Sequence, residues 1–336
     1  MLMEVLFLAY IVNSAFEQFH ENIKLNKYDS EKARSSRDYL FRNIDNFSND
    51  DDMFPLLYHE CHNKFGSFAR KTKINPLDDI DLLVCLQAQG STYFKHSVDN
   101  VDITVPKSAN TLRALSENNI LNSRKVIEKF KSNLKELAHY KNAEINRRQE
   151  VISLSLQSYD WTFDIVPCFI TAPTRNGKTY YLIPNGDGNW KFTDPRIDQE
   201  RVTRINKENN GNILKIIRMF KYLANEYTLF KDNSYLLEVL ILNYYESNSY
   251  EHSISVEICW VLLYIISKVQ YLVKDPQDIR SNINLLDAEE VRKVKSTLEN
   301  ILISMFKAIE YESNMDNKEA INKWCEIFGS KFPQYG

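Results

Sequence analysis

Asp79 and Asp81 are the residues whose type and spacing point most directly to chemistry. They stand in Asp79-Ile80-Asp81, which runs straight into the apolar Leu82-Leu83-Val84-Cys85-Leu86. Strand side chains alternate between faces. The two carboxylates therefore share one face, about 6 to 7 Å apart along the strand, and Ile80 turns to the other. That spacing suits the holding of one or two divalent cations. Upstream lies the pair Gly66-Ser67. Glycine lets a backbone approach a ligand closely. Ser67, at an expected helix start, offers a hydroxyl and backbone N–H groups to an anion. A phosphate cradle beside a metal-binding acidic pair is the equipment of phosphoryl or nucleotidyl transfer. The ordinary alternative is a solvated Asp-X-Asp at a strand edge, and the nearby Gly-Ser counts against it.

A third acid, Asp164, sits in the strand-like Trp161-Thr162-Phe163-Asp164-Ile165-Val166-Pro167. A lone carboxylate among aromatic and branched residues is expensive to bury without a partner. A metal shared with Asp79 and Asp81 would supply one; backbone donors at a strand end are the alternative. The His59-Glu60-Cys61-His62 run looks metal-like, but as a strand it would send its two histidines to opposite faces, so no metal is expected there.

The elements that must position these acids follow from apolar periodicity. Helices are expected over residues 3–24, 30–47 and 122–141, with a further short helical piece over 143–148. Strands are expected over 79–86, 151–159, 161–171 and 180–184, with more sheet within 91–105. From Arg201 onward the pattern is almost wholly helical, with helices near 212–226, 235–247, 255–273, 287–313 and 318–328. The 336 residues contain only 8 Gly and 9 Pro, which favours long helices and few linkers. The expected class is α+β: residues 1–200 form a core with a mixed sheet and N-terminal helices, and 201–336 form a helical lobe completing the site. A net charge of −3 excludes a general polyanion binder. The five cysteines are scattered without a CxxC pair, so neither a zinc frame nor disulfides are expected, and a reducing cytoplasm fits. The apolar N-terminus is broken at Glu4, Asn13 and Glu17, and reads as a buried helix face rather than a membrane span.

The stretch GSFARKTKINPLDDIDLLVCL, followed by FDIVPCF, resembles the polymerase-beta-type nucleotidyltransferase core. The later series YYLIPNGDGNWKFTDPR, NILKIIRMFKYL and NSYLLEVLILNYY narrows the match to bacterial CD-NTases, the cGAS/DncV-like enzymes of the SMODS type that work in CBASS anti-phage defence. The resemblance covers about residues 55 to 280. It implies cyclic di- or trinucleotide synthesis from ATP, GTP or other nucleoside triphosphates, with Mg²⁺ or Mn²⁺ as cofactor. It makes Asp79, Asp81 and Asp164 the metal-binding catalytic acids and Gly66 and Ser67 the triphosphate loop. It makes Lys221 and Ser234 donor-triphosphate contacts and Tyr235 a base-stacking residue. Left to themselves, these three read as a solvated helix lysine, a helix N-cap and a core tyrosine. The zinc insertion of the animal synthase has no counterpart here, so no stable nucleic-acid partner is expected.

An alternative on the same core is a template-independent RNA nucleotidyltransferase or an RNA-binding protein. The basic cluster Arg124, Lys125, Lys129, Lys131, Lys135, Arg147 and Arg148 is its support. The resemblance also implies partners beyond the substrates: an effector activated by the cyclic product, and in some systems an E1/E2-like enzyme that conjugates the synthase C-terminus. An extended tail ending in Gly336 would suit such an enzyme, and Pro333 is expected to keep that tail from rejoining the last helix.

Overall fold

The computed structural model describes residues 8–137, 140, 143–148, 150–156, 159–231 and 233–336. The chain forms two compact units. One contains the residues up to Asn26, Thr72–Asn75 and Glu200–Gly336; the other contains Lys27–Lys71 and Pro76–Gln199. A single cut at residue 200 does not describe this division. The Val12–Ile23 helix belongs with the C-terminal helices, because its apolar stripe is buried among their aromatic residues. Phe16 meets Trp324 edge-on at 5.0 Å and Phe332 at 5.1 Å.

The unit that carries the acids is built on a mixed sheet. Asp79–Cys85 and Thr162–Ile170 run parallel, in register from Asp79 opposite Thr162 to Cys85 opposite Cys168. Asn63–Phe65 flanks the first strand and Val151–Ser155 the second, both antiparallel. Beyond them Tyr181–Pro184, Trp190–Thr193 and Val101–Thr104 extend the sheet. Ile80, Leu82, Phe163, Ile165, Ile152 and Leu154 are buried. The Ser123–Glu136 helix buries Val126, Ile127, Phe130 and Leu134, a stripe at three- and four-residue spacing. Asn122 caps it by accepting from the Arg124 N–H at 3.0 Å. Each such apolar side chain contributes roughly 1.5–3 kcal/mol on burial.

Several expectations are corrected. Glu144–Arg148 is a strand, paired antiparallel with Val151–Ser155, not a helical piece. The first helix begins at Val12, because Leu8 and Ala9 pair with Gln334 and Tyr335 in a parallel bridge. Residues 3–7 of the expected helix lie outside those described. The chain end is not loose up to Tyr335: Phe332 is buried, and Tyr335 packs edge-on against Tyr10 at 5.6 Å. Among the described residues, no helix is long and apolar enough to cross a membrane.

One buried histidine makes the helical unit acid-sensitive. His20 Nε2 accepts from Arg218 Nη1 at 2.9 Å. Burial, reinforced by the Arg218 charge, pushes the imidazole from its ordinary 6.5 down to about 4. The folded state keeps His20 neutral, so between those two values the unfolded chain binds more protons. Stability is therefore expected to fall as pH drops from 6.5 towards 4. Urea midpoints measured across that window should vary less steeply in His20→Gln; an unchanged slope would clear His20 of the effect.

Candidate active site

Alternation along Asp79–Cys85 does what the spacing predicts. Asp79 and Asp81 are half-buried on one face while Ile80 is buried on the other. The parallel pairing then sets Asp164 directly beside Asp81. Neighbouring strands lie about 4.8 Å apart, so the two carboxylates start from adjacent backbones and project to the same side. On the far side of Asp164 the register continues to Ser153, and from Asp79 it runs through Thr162 to Ser155. Ser155 Oγ and Thr162 Oγ1 lie 3.3 Å apart. The face bearing the acids is thus polar over three strands, while the rows between them are apolar.

Gly66 and Ser67 come to the same place by a different route. Phe65, last residue of the Asn63–Phe65 strand, pairs with Asp81, and the chain then turns through the single helical turn Gly66–Ala69. Gly66 has φ +74°, where residues with a Cβ are strained. A Cβ on it would lie 1.7 Å from Asp81 Oδ2 and 2.5 Å from its Cγ. The missing side chain is therefore the space that the Asp81 carboxylate occupies. Ser67 follows at once, half-buried, with its backbone N–H in the turn.

The donor set is three carboxylates beside a backbone turn, all hard oxygen ligands. That chemistry fits Mg²⁺ or Mn²⁺ and suits soft metals poorly. Among the described residues, Asp45, His59 and His62 bring one ligand atom each within 4.8 Å of one another. His59–Cys61 is a 3-10 turn rather than a strand, and this brings both histidines to one carboxylate, contrary to expectation. Asp45 Oδ1 lies 2.9 Å from His59 Nδ1 and 3.2 Å from His62 Nε2. However, His62 Nδ1 accepts from the Cys85 N–H at 3.0 Å. A neutral ring that accepts at Nδ1 carries its proton on Nε2. His62 Nε2 therefore donates to Asp45 and has no lone pair for a metal. Burial holds this imidazole below its ordinary range, which keeps the ring neutral. The cluster is a hydrogen-bonded strap.

In the helical unit, Lys221 is buried on the Ile213–Glu226 helix and forms an ion pair with Glu238. Ser234 is the first residue of the Ser234–Tyr245 helix and is exposed. Its N-cap is Asn233, whose side chain accepts from the Leu236 N–H at 3.2 Å, so capping does not explain Ser234. Tyr235 is half-buried against the apolar core. Glu238 is a residue that sequence reasoning missed. A lone carboxylate in the apolar SYLLEVLILNYY is the same signal that singled out Asp164.

The basic cluster is largely neutralised within its own unit. Lys125 pairs with Glu117 at 3.0 Å, Lys129 with Asp51 at 2.6 Å, Arg124 with Asp187 at 3.5 Å and Arg147 with Glu128 at 3.8 Å. The Arg148 side chain lies outside the described residues.

No protein-family model matches the chain. A probable cyclic nucleotide synthase of Bacillus cereus is 41% identical over 326 residues, spanning 96% of this chain and 98% of that one. Among solved structures, CdnC of E. coli MS115-1 with ATP superposes with a TM-score of 0.69 at 14% identity, over 95% of this chain and 98% of CdnC. DncV, the cyclic AMP-GMP synthase of Vibrio cholerae, superposes with a TM-score of 0.67 at 12% identity, over 94% and 96%. At such identities the superpositions speak for the fold, a mixed sheet with helices.

Proposed function

The chain belongs to the CD-NTases, the cGAS/DncV-like nucleotidyltransferases, and we propose that it joins nucleoside triphosphates into a cyclic di- or trinucleotide second messenger in anti-phage signalling. The observation that carries this reading is the junction of Gly66, Asp81 and Asp164: a backbone turn lying against one acid that is in register with another.

In this reading Asp79, Asp81 and Asp164 hold the divalent ions. Ions held there would lower the pKa of an attacking ribose hydroxyl and would offset the charge of a departing pyrophosphate. The Gly66–Ser67 backbone and the Ser67 hydroxyl hold triphosphate oxygens. The attacking hydroxyl gives up its proton to solvent water as its oxygen bonds the donor α-phosphorus, and the bond from that phosphorus to oxygen breaks, releasing pyrophosphate. A second round on the linear intermediate closes the ring. Lys221 and Ser234 contact the donor triphosphate and Tyr235 stacks on its base. The protein mostly positions reactants and stabilises charge.

The ion pairs of the basic cluster weigh against an RNA-tailing enzyme, because cations already held by carboxylates are poor collectors of phosphate backbone. The test is incubation with labelled nucleoside triphosphates and Mg²⁺, with and without RNA, followed by mass analysis. Small phosphatase-resistant products formed without RNA are expected; RNA-dependent tails would overturn the reading.

The donor contacts have their own test. A stacked base contributes roughly 1–3 kcal/mol, so Tyr235→Ala should weaken triphosphate binding by about that amount. Ser234→Ala should weaken it by roughly 1.5 kcal/mol, the low end for a bond to a charged group. Binding by both variants equal to wild type would make them ordinary helix residues.

A further inference from the structure

Lys221 does not stand alone. Its ammonium is ion-paired with Glu238 and lies 3.5 Å from Thr72 Oγ1. The Thr72 hydroxyl in turn donates to Glu238 Oε1 at 3.0 Å. All three are buried: Thr72 is 0% exposed, Glu238 1% and Lys221 7%. Each residue of this triangle touches the other two.

A buried ion pair is weak evidence for stability, since desolvation offsets much of its attraction. Apolar residues of the same shape would serve the fold as well or better. The triangle therefore calls for a role that an apolar trio could not fill. A lysine has four rotatable bonds and, unconstrained, points nowhere in particular. Glu238 and Thr72 fix its end at one point. Thr72 also lies in Thr72–Asn75, the short stretch of the helical unit between Ser67 and Asp79 in sequence. That stretch is anchored again where the Asn75 N–H donates to Ile23 O at 2.8 Å.

We propose that Glu238 and Thr72 are positioning residues that hold the Lys221 ammonium in place for the donor triphosphate. This rests on the nucleotide-binding reading of Lys221 given above.

The test measures binding of a non-hydrolysable ATP or GTP analogue, together with KM and kcat. Thr72→Val removes the hydroxyl with little change of shape. It should weaken binding about three- to tenfold, the range for losing an ordinary hydrogen bond, and Glu238→Gln should weaken it about tenfold or more, the range for losing one between charged groups. Both losses should fall on KM more than on kcat. Thr72→Ser, which restores the hydroxyl, should recover wild-type binding within about twofold. In a Lys221→Met background neither change should weaken binding further, because residues acting through one group are not additive. Wild-type binding by Thr72→Val and Glu238→Gln would overturn the proposal. So would losses of the same size with and without Lys221, or a failure of Thr72→Ser to rescue. Turnover by the wild type is scored separately: its absence sinks the proposed reaction, while the binding series still decides these two roles.

Discussion

Asp79→Asn combined with Asp81→Asn is expected to abolish nucleotide incorporation and leave the fold standing. Asparagine keeps the shape of each side chain and removes its charge. Both positions are half-buried on the polar face of Asp79–Cys85, and the apolar rows that hold the strand in the sheet are untouched. Asp81 also stands in register with Asp164, and like charges at close quarters repel. Neutralising two of the three acids therefore costs the fold little. In the proposed reaction the cost is large, because these oxygens would be the hard ligands of a divalent ion beside developing phosphate charge. Losing one charge-stabilising group typically costs on the order of a hundredfold or more. The pair acts as a unit, so the double variant should lose at least as much as either single one rather than the full product. The readout is product formation from labelled nucleoside triphosphates, with circular dichroism and thermal melting as the check on folding. A folded double variant with near-normal turnover would sink the assignment of all three acids.

Much of this site is legible from residue pattern, and what is not legible has physical reasons. Period-two alternation is a local property, so the shared face of Asp79 and Asp81 follows from three residues. The cost of burying a lone carboxylate singles out Asp164 in the same local way. The register that joins them is different. It pairs strands with a long stretch of chain between them, including the hairpin of Glu144–Arg148 and Val151–Ser155, and no local preference sets it. That hairpin shows the limit. Glu-Ile-Asn-Arg-Arg has no strong strand preference, and it becomes a strand because Val151–Ser155 offers it a partner. The two histidines by Asp45 mislead for the same reason, since a 3-10 turn brings together side chains that a strand would have separated. The Lys221, Glu238 and Thr72 triangle is the hardest to foresee. Glu238 announces itself as an acid in an apolar helix, but its hydroxyl partner lies 166 residues away.

Gly66→Ala separates geometry from stability within the site. Its φ of +74° costs a residue with a Cβ about 1–2 kcal/mol. Gly177 has nearly the same φ, +75°, and a Cβ there meets nothing within 4 Å. Gly177→Ala should therefore lose similar stability and keep activity within about twofold. At Gly66 the new methyl would sit 1.7 Å from Asp81 Oδ2, a distance no Cβ can hold. The Asp81 carboxylate, as the end of a side chain, gives way more readily than the paired strands Asn63–Phe65 and Asp79–Cys85. Displacing it breaks its alignment with Asp164 and its place against the Gly66–Ser67 turn. A misplacement of about 1 Å can cost on the order of a hundredfold in rate. The expected result is a kcat/KM loss of that order in Gly66→Ala, with a melting temperature close to that of Gly177→Ala. Equal activity in the two variants would mean that the turn does not set the position of Asp81, and the junction of Gly66, Asp81 and Asp164 would lose its place in the mechanism.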